Sequence, residues 1–255
     1  MSHMLAGENV GLSATRLNRQ VSNNYFFCTE RVTDIHVLDN AQDSTSLFPL
    51  YLYPFDKNSP RTPAGLFDQD QLTQPSGRQE NISSAFRQAL HQHYHKHYSP
   101  EEILGYIYAV LHSPTYRHRY KGFLKSDFPR IPLVKTPDIF EELSTLGWQL
   151  VQAHLMREIP NHPKITLSPG DYLVEKPLYQ AEKQRLYINK TLYVEAVSPE
   201  VWNFHIGGYQ VLDKYLKSRL GRTLNLDEIT NIENIIKVLN FTLQQMQKIE
   251  ALSAI

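Results

Sequence analysis

Hydrophobic and polar residues alternate in short runs along the first quarter of the chain. The runs at 24–28, 31–38 and 48–53 combine β-branched or aromatic residues with polar neighbours, a pattern that is typical of strands. Residues 54–78 are rich in Pro, Gly, Asp, Asn, Gln and Ser, and we expect them to form a long loop or linker. Loops of this length in compact proteins are usually functional or disordered.

The pattern becomes helical between residues 79 and 159, where apolar residues recur every three or four positions. Ser99-Pro100-Glu101-Glu102 is a strong helix start, because it combines an N-cap serine, a proline at the first helical position and acids in the first turn. The helix that follows is apolar or aromatic at nearly every position, so we expect it to be buried all round. The predicted helices cover residues 81–98, 103–111, 115–125 and 136–158.

The last third of the chain returns to alternation and then closes with an amphipathic helix. Three short strands are predicted at residues 172–179, 184–189 and 191–197, the last two joined by a hairpin at Asn189-Lys190. Gly207-Gly208 predicts a turn before a helix at 209–220, and Asn225 opens a final helix that runs to about residue 252. The fold class is therefore α+β, with an N-terminal β-rich part, a central helical part, a small C-terminal β-hairpin region and a long C-terminal helix.

Composition excludes several classes of protein. The 255 residues carry 26 Lys plus Arg and 26 Asp plus Glu, so the formal net charge is zero and the chain cannot coat nucleic acid through bulk charge. The single cysteine, Cys28, excludes a disulfide framework and a cysteine-based zinc ribbon, and we expect it to be a buried, inert thiol on a strand. The sequence shows no apolar run of membrane-spanning length and no signal peptide, so we expect a cytoplasmic protein. Residues 1–4 resemble a vector remnant and are left outside the predicted fold.

The familiar catalytic motifs are missing from the sequence. It contains no phosphate-binding loop, dinucleotide fingerprint, zinc-protease motif or serine-hydrolase elbow, so we predict no catalytic residue. The histidines at 91, 93, 95 and 97 would form two i, i+4 pairs on a helix, a spacing that can chelate a transition metal. Because the pairs would lie on different faces with no nearby carboxylate or cysteine, we expect adventitious metal binding at most and no designed metal site.

Positive charge is concentrated in one part of the chain. Residues 76–135 hold nine basic and four acidic side chains, a net charge of +5, whereas residues 1–75 have a net charge of −3. We call the following residues the basic stripe: Arg117, Arg119, Tyr120, Lys121, Lys125, Arg130 and Lys135. Cations interleaved with aromatic rings suit contact with a phosphate backbone and stacking on bases. The alternative is a solvated helix face with no ligand. A second cationic cluster consists of Lys214, Lys217, Arg219 and Arg222.

Four blocks of sequence carry a family resemblance. They are NVGL at 9–12 with Arg16 and Arg19-Gln20, LFPLYLYP at 47–54, IYAVLHSPTYR at 107–117 continuing into FLKSDFPRIP at 123–132, and Trp202 with IGGYQVL at 206–212 and KSR at 217–219. In this order they resemble the C-terminal specificity domain of type ISP restriction-modification enzymes and related large adenine-N6 DNA methyltransferases. The resemblance covers nearly the whole chain, and the third and fourth blocks are its most specific part.

The resemblance implies a target recognition domain whose partners are double-stranded DNA and the methyltransferase domain of a parent polypeptide in a prokaryotic cytoplasm. In that family S-adenosylmethionine and the Asn/Asp-Pro-Pro-Tyr/Phe motif belong to the methyltransferase domain. The motif is absent here. We therefore expect this chain to be non-catalytic, to hold no cofactor of its own, and to be either a fragment or a stand-alone specificity piece.

The resemblance also implies roles for individual segments. Base readout is expected from the N-terminal strands and their loops, because Arg suits guanine and Gln or Asn suits adenine in the major groove. The candidates are Arg16, Arg19, Gln20, Asn23, Asn24 and Arg31. The basic stripe would grip phosphates, while the 48–54 run and the 103–114 helix would be core. Residues 5–75 are then a β-rich recognition subdomain with a loop, 76–165 a helical subdomain with the basic stripe, and 166–255 a small β region plus C-terminal helices.

A function from a different class remains open at this point. The long C-terminal helix carries a continuous apolar stripe, which could dock on a methyltransferase or another partner and make the chain a protein-interaction module. Packing of that helix on its own domain would remove this alternative.

Overall fold

The N-terminal part of the chain forms small antiparallel sheets. The computed structural model describes residues 2–17, 25–38, 44–54, 77–161 and 165–252. Strands β1 (Gly11–Thr15), β2 (Phe26–Thr29) and β3 (Thr45–Pro49) form a three-stranded sheet in the order β2-β1-β3. Strands β4 (Tyr51–Leu52) and β5 (Gln79–Glu80) form a separate antiparallel pair, so the predicted strand at 48–53 is divided between two sheets.

The register of the first sheet decides which side chains reach the core. Leu12 lies opposite Cys28 on one neighbour and Phe48 on the other. Cys28 is buried on β2 as predicted, and Leu50 and Tyr53 are buried as well. Phe48 differs from the prediction of a core residue, because 43% of its surface is exposed. Within the 48–54 run, only Leu50 and Tyr53 are therefore buried.

The central part is helical and begins at well-formed caps. Its helices are α1 (Ser84–Tyr94), α2 (Pro100–His112), α3 (Pro114–Arg119), α4 (Lys121–Leu124) and α5 (Pro137–His154). The predicted start of α2 is a complete capping box, in which the Glu102 amide donates to Ser99 Oγ at 3.1 Å and the Ser99 amide donates to the Glu102 carboxylate at 2.6 Å. Helix α2 is buried on nearly every side and packs along α5.

The C-terminal part combines short strands with the longest helix. Its elements are β6 (Leu178–Gln180), β7 (Arg185–Tyr187), β8 (Tyr193–Val194), α6 (Pro199–Trp202), β9 (His205–Ile206), β10 (Tyr209–Gln210), α7 (Val211–Lys217) and α8 (Leu226–Ala251). The predicted hairpin at Asn189-Lys190 joins β7 and β8. Gly207 makes the predicted turn at a φ of 57°, where a Cβ would overlap the carbonyl oxygen of Leu38.

Buried apolar side chains in the described residues form two clusters. The first combines the N-terminal sheet with α1, α2, α3 and α5, and the second combines β7 and β8 with α6 and α7. Helix α8 takes part in both, since Ile249 belongs to the first and Ile232 and Ile236 to the second. Its apolar stripe is therefore covered by its own chain, which removes the main support for the helix-docking alternative. The α+β class is confirmed; the three-part division of the chain stays a prediction.

The first predicted helix is shorter than expected, and this affects the predicted i, i+4 histidine pairs. Helix α1 ends at Tyr94, and His95 adopts a left-handed conformation with a φ of 55° while its amide donates to the His91 carbonyl. His97 lies beyond the helix. The pairs that the i, i+4 spacing predicted are therefore not formed on one helix, and no group of three or more His, Cys, Asp or Glu side chains in the described residues could hold a metal ion.

Four other sequence-based expectations differ from the structure. Residues 31–38 form bends and turns where a strand was predicted, and the helix predicted at 115–125 is broken at Tyr120 into α3 and α4. The strand predicted at 172–179 is reduced to its last two residues. Residues 2–4 are not outside the fold, because Met4 is buried and the Asn9 side-chain amide donates to the His3 carbonyl. The long loop expected between 54 and 78 lies almost entirely outside the described residues.

Candidate nucleic-acid interface

Helix α3, which opens the basic stripe, is fixed at its N-terminus by the last turn of α8. The Glu250 carboxylate accepts a hydrogen bond from Ser113 Oγ at 2.5 Å and from the Thr115 amide at 3.2 Å. The second bond satisfies a backbone amide that a helix start leaves without a partner, and the first holds the N-cap side chain in place. The basic stripe is thus attached to the rigid core of the molecule.

The extended segment that follows α4 is held by three tyrosine hydroxyls. Tyr116 donates to the Arg130 carbonyl at 2.8 Å, Tyr106 to the Pro132 carbonyl at 2.6 Å and Tyr94 to the Val134 carbonyl at 2.7 Å. Alternate carbonyls of an extended chain point to the same side, so one face of the segment is bonded to α1, α2 and α3. We call this arrangement the tyrosine ladder. It fixes the backbone of Arg130 and of the residues leading to Lys135.

The cations of the basic stripe are exposed, with one exception. The side chains concerned are Arg119, Lys121, Lys125, Arg130 and Lys135. None of the five forms an ion pair with a carboxylate in the part of the chain that the structure describes. Tyr120 is half-buried between the Tyr116 ring, 5.0 Å away between centres, and the Arg119 guanidinium, 5.8 Å from its centre. These positive charges are available to a ligand.

Arg117 is the exception among these cations. Its residue surface is only 9% exposed, and it lies among buried groups near His112 and Glu250. Burial lowers the pKa of its guanidinium, and the neighbouring Glu250 carboxylate opposes that shift. On α3, the position two residues before Arg119 faces a different side of the helix. Arg117 therefore belongs to the interior, unlike the five exposed cations, and its predicted phosphate contact stays a prediction.

One ion pair connects the N-terminal sheet with the basic stripe. Arg16, directly after β1, donates from Nε to Asp127 Oδ1 at 3.1 Å, and both side chains are exposed. Asp127 also accepts the Phe128 amide at 2.9 Å; that bond and the Arg16 guanidinium hold the pKa of the Asp127 carboxyl below its ordinary value. The Phe48 and Phe128 rings meet edge to face at 5.4 Å between centres. Two segments more than a hundred residues apart therefore form one surface.

The remaining base-readout candidates are only partly described. Arg31 is exposed in the bend after β2, where its amide donates to Thr29 Oγ1 at 3.0 Å. Four other candidates, Arg19, Gln20, Asn23 and Asn24, lie outside the described residues. The structure therefore brings Arg16 to the basic stripe, and no contact in the described residues tests the others.

The second cationic cluster is largely neutralised by its own carboxylates. Lys217 pairs with Asp213 at 2.8 Å, while Arg219 and Arg222 both pair with Glu228 at 3.0 and 3.1 Å. The Lys214 ammonium lies 4.2 Å from the centre of the Tyr209 ring. Compared with the basic stripe, this cluster is a weak candidate for an anion.

The described residues include one buried thiol, Cys28, and two buried imidazoles, those of His112 and His154. Burial raises the pKa of the Cys28 thiol and lowers the pKa of His112 and of His154, the last to about 4. The Tyr108 hydroxyl lies 2.7 Å from His154 Nδ1 and accepts the Cys28 amide at 3.3 Å. Burial therefore keeps the thiol and both imidazoles neutral inside this hydrogen-bonded network.

One aromatic residue interleaved with the cations of the basic stripe, Phe123, was not among the predicted site residues. Phe123 on α4 is 62% exposed and lines a cleft of about 180 Å³ together with Tyr116, Tyr120, Leu124 and Arg130. The signal was present in the sequence, since Phe123 stands between two lysines of the basic stripe. Exposure could not be deduced from that position alone, because its neighbour Leu124 is fully buried.

Within the described parts of the chain, no helix has both the length and the apolar character needed to cross a membrane.

No curated protein sequence matches the chain. Three of the solved structures that share its fold contain DNA or a DNA substrate mimic. They are the ATP-dependent Type ISP restriction-modification enzyme LlaBIII bound to DNA, a nuclease-deletion mutant of the Type ISP restriction-modification enzyme LlaGI in complex with a DNA substrate mimic, and a DrdV–DNA complex.

The similarity to these structures covers almost the whole of this chain and a small part of theirs. The TM-scores are 0.67 for LlaBIII, 0.62 for LlaGI and 0.67 for DrdV, at sequence identities of 18%, 21% and 18%. The match includes 96%, 95% and 97% of this chain but only 16%, 18% and 24% of the respective neighbours. A family model for the Type ISP C-terminal specificity domain matches residues 1–248. The chain therefore belongs to the Type ISP C-terminal specificity domain family.

Proposed function

We propose that this chain is the DNA target recognition domain of a restriction-modification enzyme and that it holds duplex DNA against one composite surface. The observation that carries the proposal is the Arg16–Asp127 ion pair, which joins the end of β1 to the exposed cations of the basic stripe. The solved neighbours are described as complexes with DNA or a DNA substrate mimic, and they share the fold over nearly all of this chain.

The phosphate-binding set is the basic stripe without Arg117. Five exposed cations on one continuous stretch of chain, with Tyr120 between them, suit the regularly spaced charges of a duplex backbone. The tyrosine ladder and the Glu250 contact to α3 hold this stretch in place before DNA arrives, which reduces the entropy lost on binding. Arg119, Lys121, Lys125, Arg130 and Lys135 then position the duplex without reading its sequence.

Base readout belongs to the N-terminal side of the same surface. Arg16 is exposed at the end of β1, Arg31 is exposed after β2 beside the start of β1, and Arg19, Gln20, Asn23 and Asn24 follow Arg16 in the chain. Arg pairs with guanine and Gln or Asn with adenine at major-groove edges. We retain all six as readout residues.

Catalysis belongs to other parts of the proposed parent enzyme. The chain spans 16–24% of the length of its structural neighbours, so the methyltransferase domain that would modify adenine lies elsewhere. That domain would bind S-adenosylmethionine, and this chain would hold no cofactor itself. Because the net charge of the chain is zero, binding by this domain alone is weak and depends on local charge. The proposed location is the prokaryotic cytoplasm.

The salt dependence of DNA binding tests this assignment. Fluorescence anisotropy of the 255-residue chain with random duplex should show affinity falling as salt rises, since binding releases counterions. Combined substitution of Arg119, Lys121 and Lys125 by alanine should reduce the slope of log K against log salt by about 3, or roughly one per lost phosphate contact.

A matched variant separates local contact from net charge. Lys176, Lys183 and Lys190 are exposed in and around the β6–β8 sheet, and their combined replacement by alanine changes the net charge equally. This control should keep the parent slope. Equal slopes for both triple variants would refute the phosphate assignment.

A further inference from the structure

The cleft between Tyr120, Phe123 and Arg130 has the composition of a stacking site. Phe123 exposes 62% of its surface, and Tyr120 is half-buried. Tyr116 and Leu124, each 1% exposed, form the base of the cleft. A single exposed apolar residue is ordinary on a protein surface. Here the exposed ring borders an aromatic cleft inside a cationic segment. Rings favour stacking on an aromatic ligand and the cations favour negative charge, so the combination suits an aromatic ligand that carries negative charge.

The size of the cleft restricts the ligand to one small ring system. Its volume of about 180 Å³ lies below the roughly 300 Å³ at which pockets for drug-sized molecules begin. A planar base fits between rings without needing specific hydrogen bonds, because every nucleobase presents a π-face. The attached phosphates would meet Arg130, Lys121 and Lys125, which are exposed and without an ion pair to the described carboxylates.

The cleft is rigid, which matters for a site that must hold a base outside its stack. Tyr116 donates to the Arg130 carbonyl at 2.8 Å, so the base of the cleft is bonded to its rim. The Tyr116 ring lies 5.0 Å from the Tyr120 ring between centres. Leu124 anchors α4 in the first hydrophobic cluster. Only the Phe123 ring lacks such support, so it can adjust to a bound base.

We propose that this cleft accepts one unstacked nucleobase of the bound DNA, with Phe123 and Tyr120 stacking on it and Arg130 at its sugar-phosphate side. The proposal rests on the proposed function, since it places the site on the same DNA-binding surface. Removing a base from a duplex is unfavourable, and least so where the base is already unpaired. DNA with an unpaired base should therefore bind better than the same duplex without one.

The test compares two probes with the 255-residue chain. One is a random duplex, and the other is the same duplex with a single bulged 2-aminopurine. The bulged duplex should bind roughly tenfold more tightly, within the range expected for stacking of one base, and its 2-aminopurine emission should fall as the base stacks on the aromatic rings. Phe123→Leu should abolish both effects, whereas Phe123→Trp should retain them.

Tyr172 provides the matched control. It is also an exposed aromatic residue, 41% accessible, and it lies in the C-terminal part of the chain outside the cleft, so Tyr172→Leu should bind both probes like the parent. If the parent binds both duplexes equally, or if Phe123→Leu keeps the preference and the emission change, the stacking site is refuted while DNA binding stands. If the parent binds neither duplex, both proposals fail.

Discussion

Gly147 of α5 lies directly against the backbone of Gly105 in α2. A Cβ added at Gly147 would overlap the Gly105 carbonyl oxygen and come 2.8 Å from the Ala109 amide nitrogen. The reverse relationship also holds, since a Cβ at Gly105 would overlap the Ser144 carbonyl oxygen. These helices form the centre of the first hydrophobic cluster. They can approach this closely because neither glycine has a side chain.

Gly147→Ala should destabilise the protein by about 1–3 kcal/mol, the cost of overpacking a close helix contact. The free energy of unfolding in urea, monitored by far-UV circular dichroism, measures the effect. Gly122→Ala is the control, because a Cβ at Gly122 in α4 meets no atom within 4 Å. There the higher helix propensity of alanine should leave stability equal or raise it by up to about 1 kcal/mol. A Gly147→Ala protein as stable as the parent would contradict the close packing.

Asp127→Asn should strengthen binding to random duplex several-fold. The substitution removes a carboxylate from the DNA surface and releases Arg16, while the asparagine oxygen can still accept the Phe128 amide. Because the pair is exposed, stability should stay close to that of the parent. Anisotropy at low salt and a thermal melt measure the two effects.

Glu195→Gln is the charge-matched control for that substitution. Glu195 pairs with Arg185 at 2.7 Å in the β7–β8 region, away from the basic stripe in the fold. It should leave DNA affinity unchanged. Weaker binding by Asp127→Asn would show that Asp127 supports the DNA-bound arrangement of Arg16 and does not compete with DNA.

Alanine substitutions at Arg117 and Arg119 should have opposite effects on protein stability and on DNA binding. Arg117→Ala removes a buried side chain, so it should lower the free energy of unfolding by about 1–3 kcal/mol and leave the salt slope of DNA binding unchanged. Arg119→Ala should do the opposite, reducing the slope by about one unit at unchanged stability. Urea unfolding measures the stability of both variants, and fluorescence anisotropy measures the salt slope of their DNA binding. A lower slope for Arg117→Ala would return Arg117 to the phosphate set.

Stability should fall as the pH drops from 6.5 towards 4. The folded pKa of His154, about 4, lies below the ordinary value of 6.5, so the unfolded chain takes up a proton that the folded chain resists. The stabilisation that comes from a neutral His154 is fully present above pH 6.5 and is lost as the pH falls from 6.5 towards 4. Between pH 7 and pH 5 it amounts to at most about 2 kcal/mol, and burial of His112 acts in the same direction.

His154→Gln should make the pH dependence between 7 and 5 shallower by up to that amount. The His154 ring connects the Tyr108 hydroxyl at 2.7 Å with Thr242 Oγ1 at 2.8 Å, and the Thr242 hydroxyl donates to the Val238 carbonyl. Glutamine can supply one donor and one acceptor at this position. Urea unfolding at both pH values measures the change, with the exposed His118→Gln as reference. An unaltered difference between the two pH values would contradict a neutral His154.

Local signals predicted most of the helical architecture, because they act within a few residues. The Ser99 capping box, the start at Thr136 and the amphipathic stripe of α8 all appear as expected. The strands were harder to predict, since β-structure depends on a partner elsewhere in the chain. Residues 31–38 have strand-like composition but form turns, and Phe48 has a core-like side chain on an exposed position of an edge strand.

The candidate interface was predictable in composition but not in geometry. Charge counting identifies the basic stripe, yet it cannot distinguish Arg117 from Arg119, because the orientation of a short helix depends on Glu250 from the far end of the chain. The tyrosine ladder was equally hidden, since its acceptors are backbone carbonyls 26 to 40 residues from two of the donors. The Arg16–Asp127 contact, 111 residues apart in sequence, needed the complete fold.

Hydrogen–deuterium exchange of the 255-residue chain, with and without saturating random duplex, tests the composite DNA surface most directly. We predict slower exchange on DNA binding at the end of β1 next to Arg16 and across residues 119–131, with no change in the β6–β8 sheet. Protection confined to the β6–β8 sheet, or protection at only one of the two predicted segments, would contradict the claim that Arg16 and the basic stripe hold DNA together.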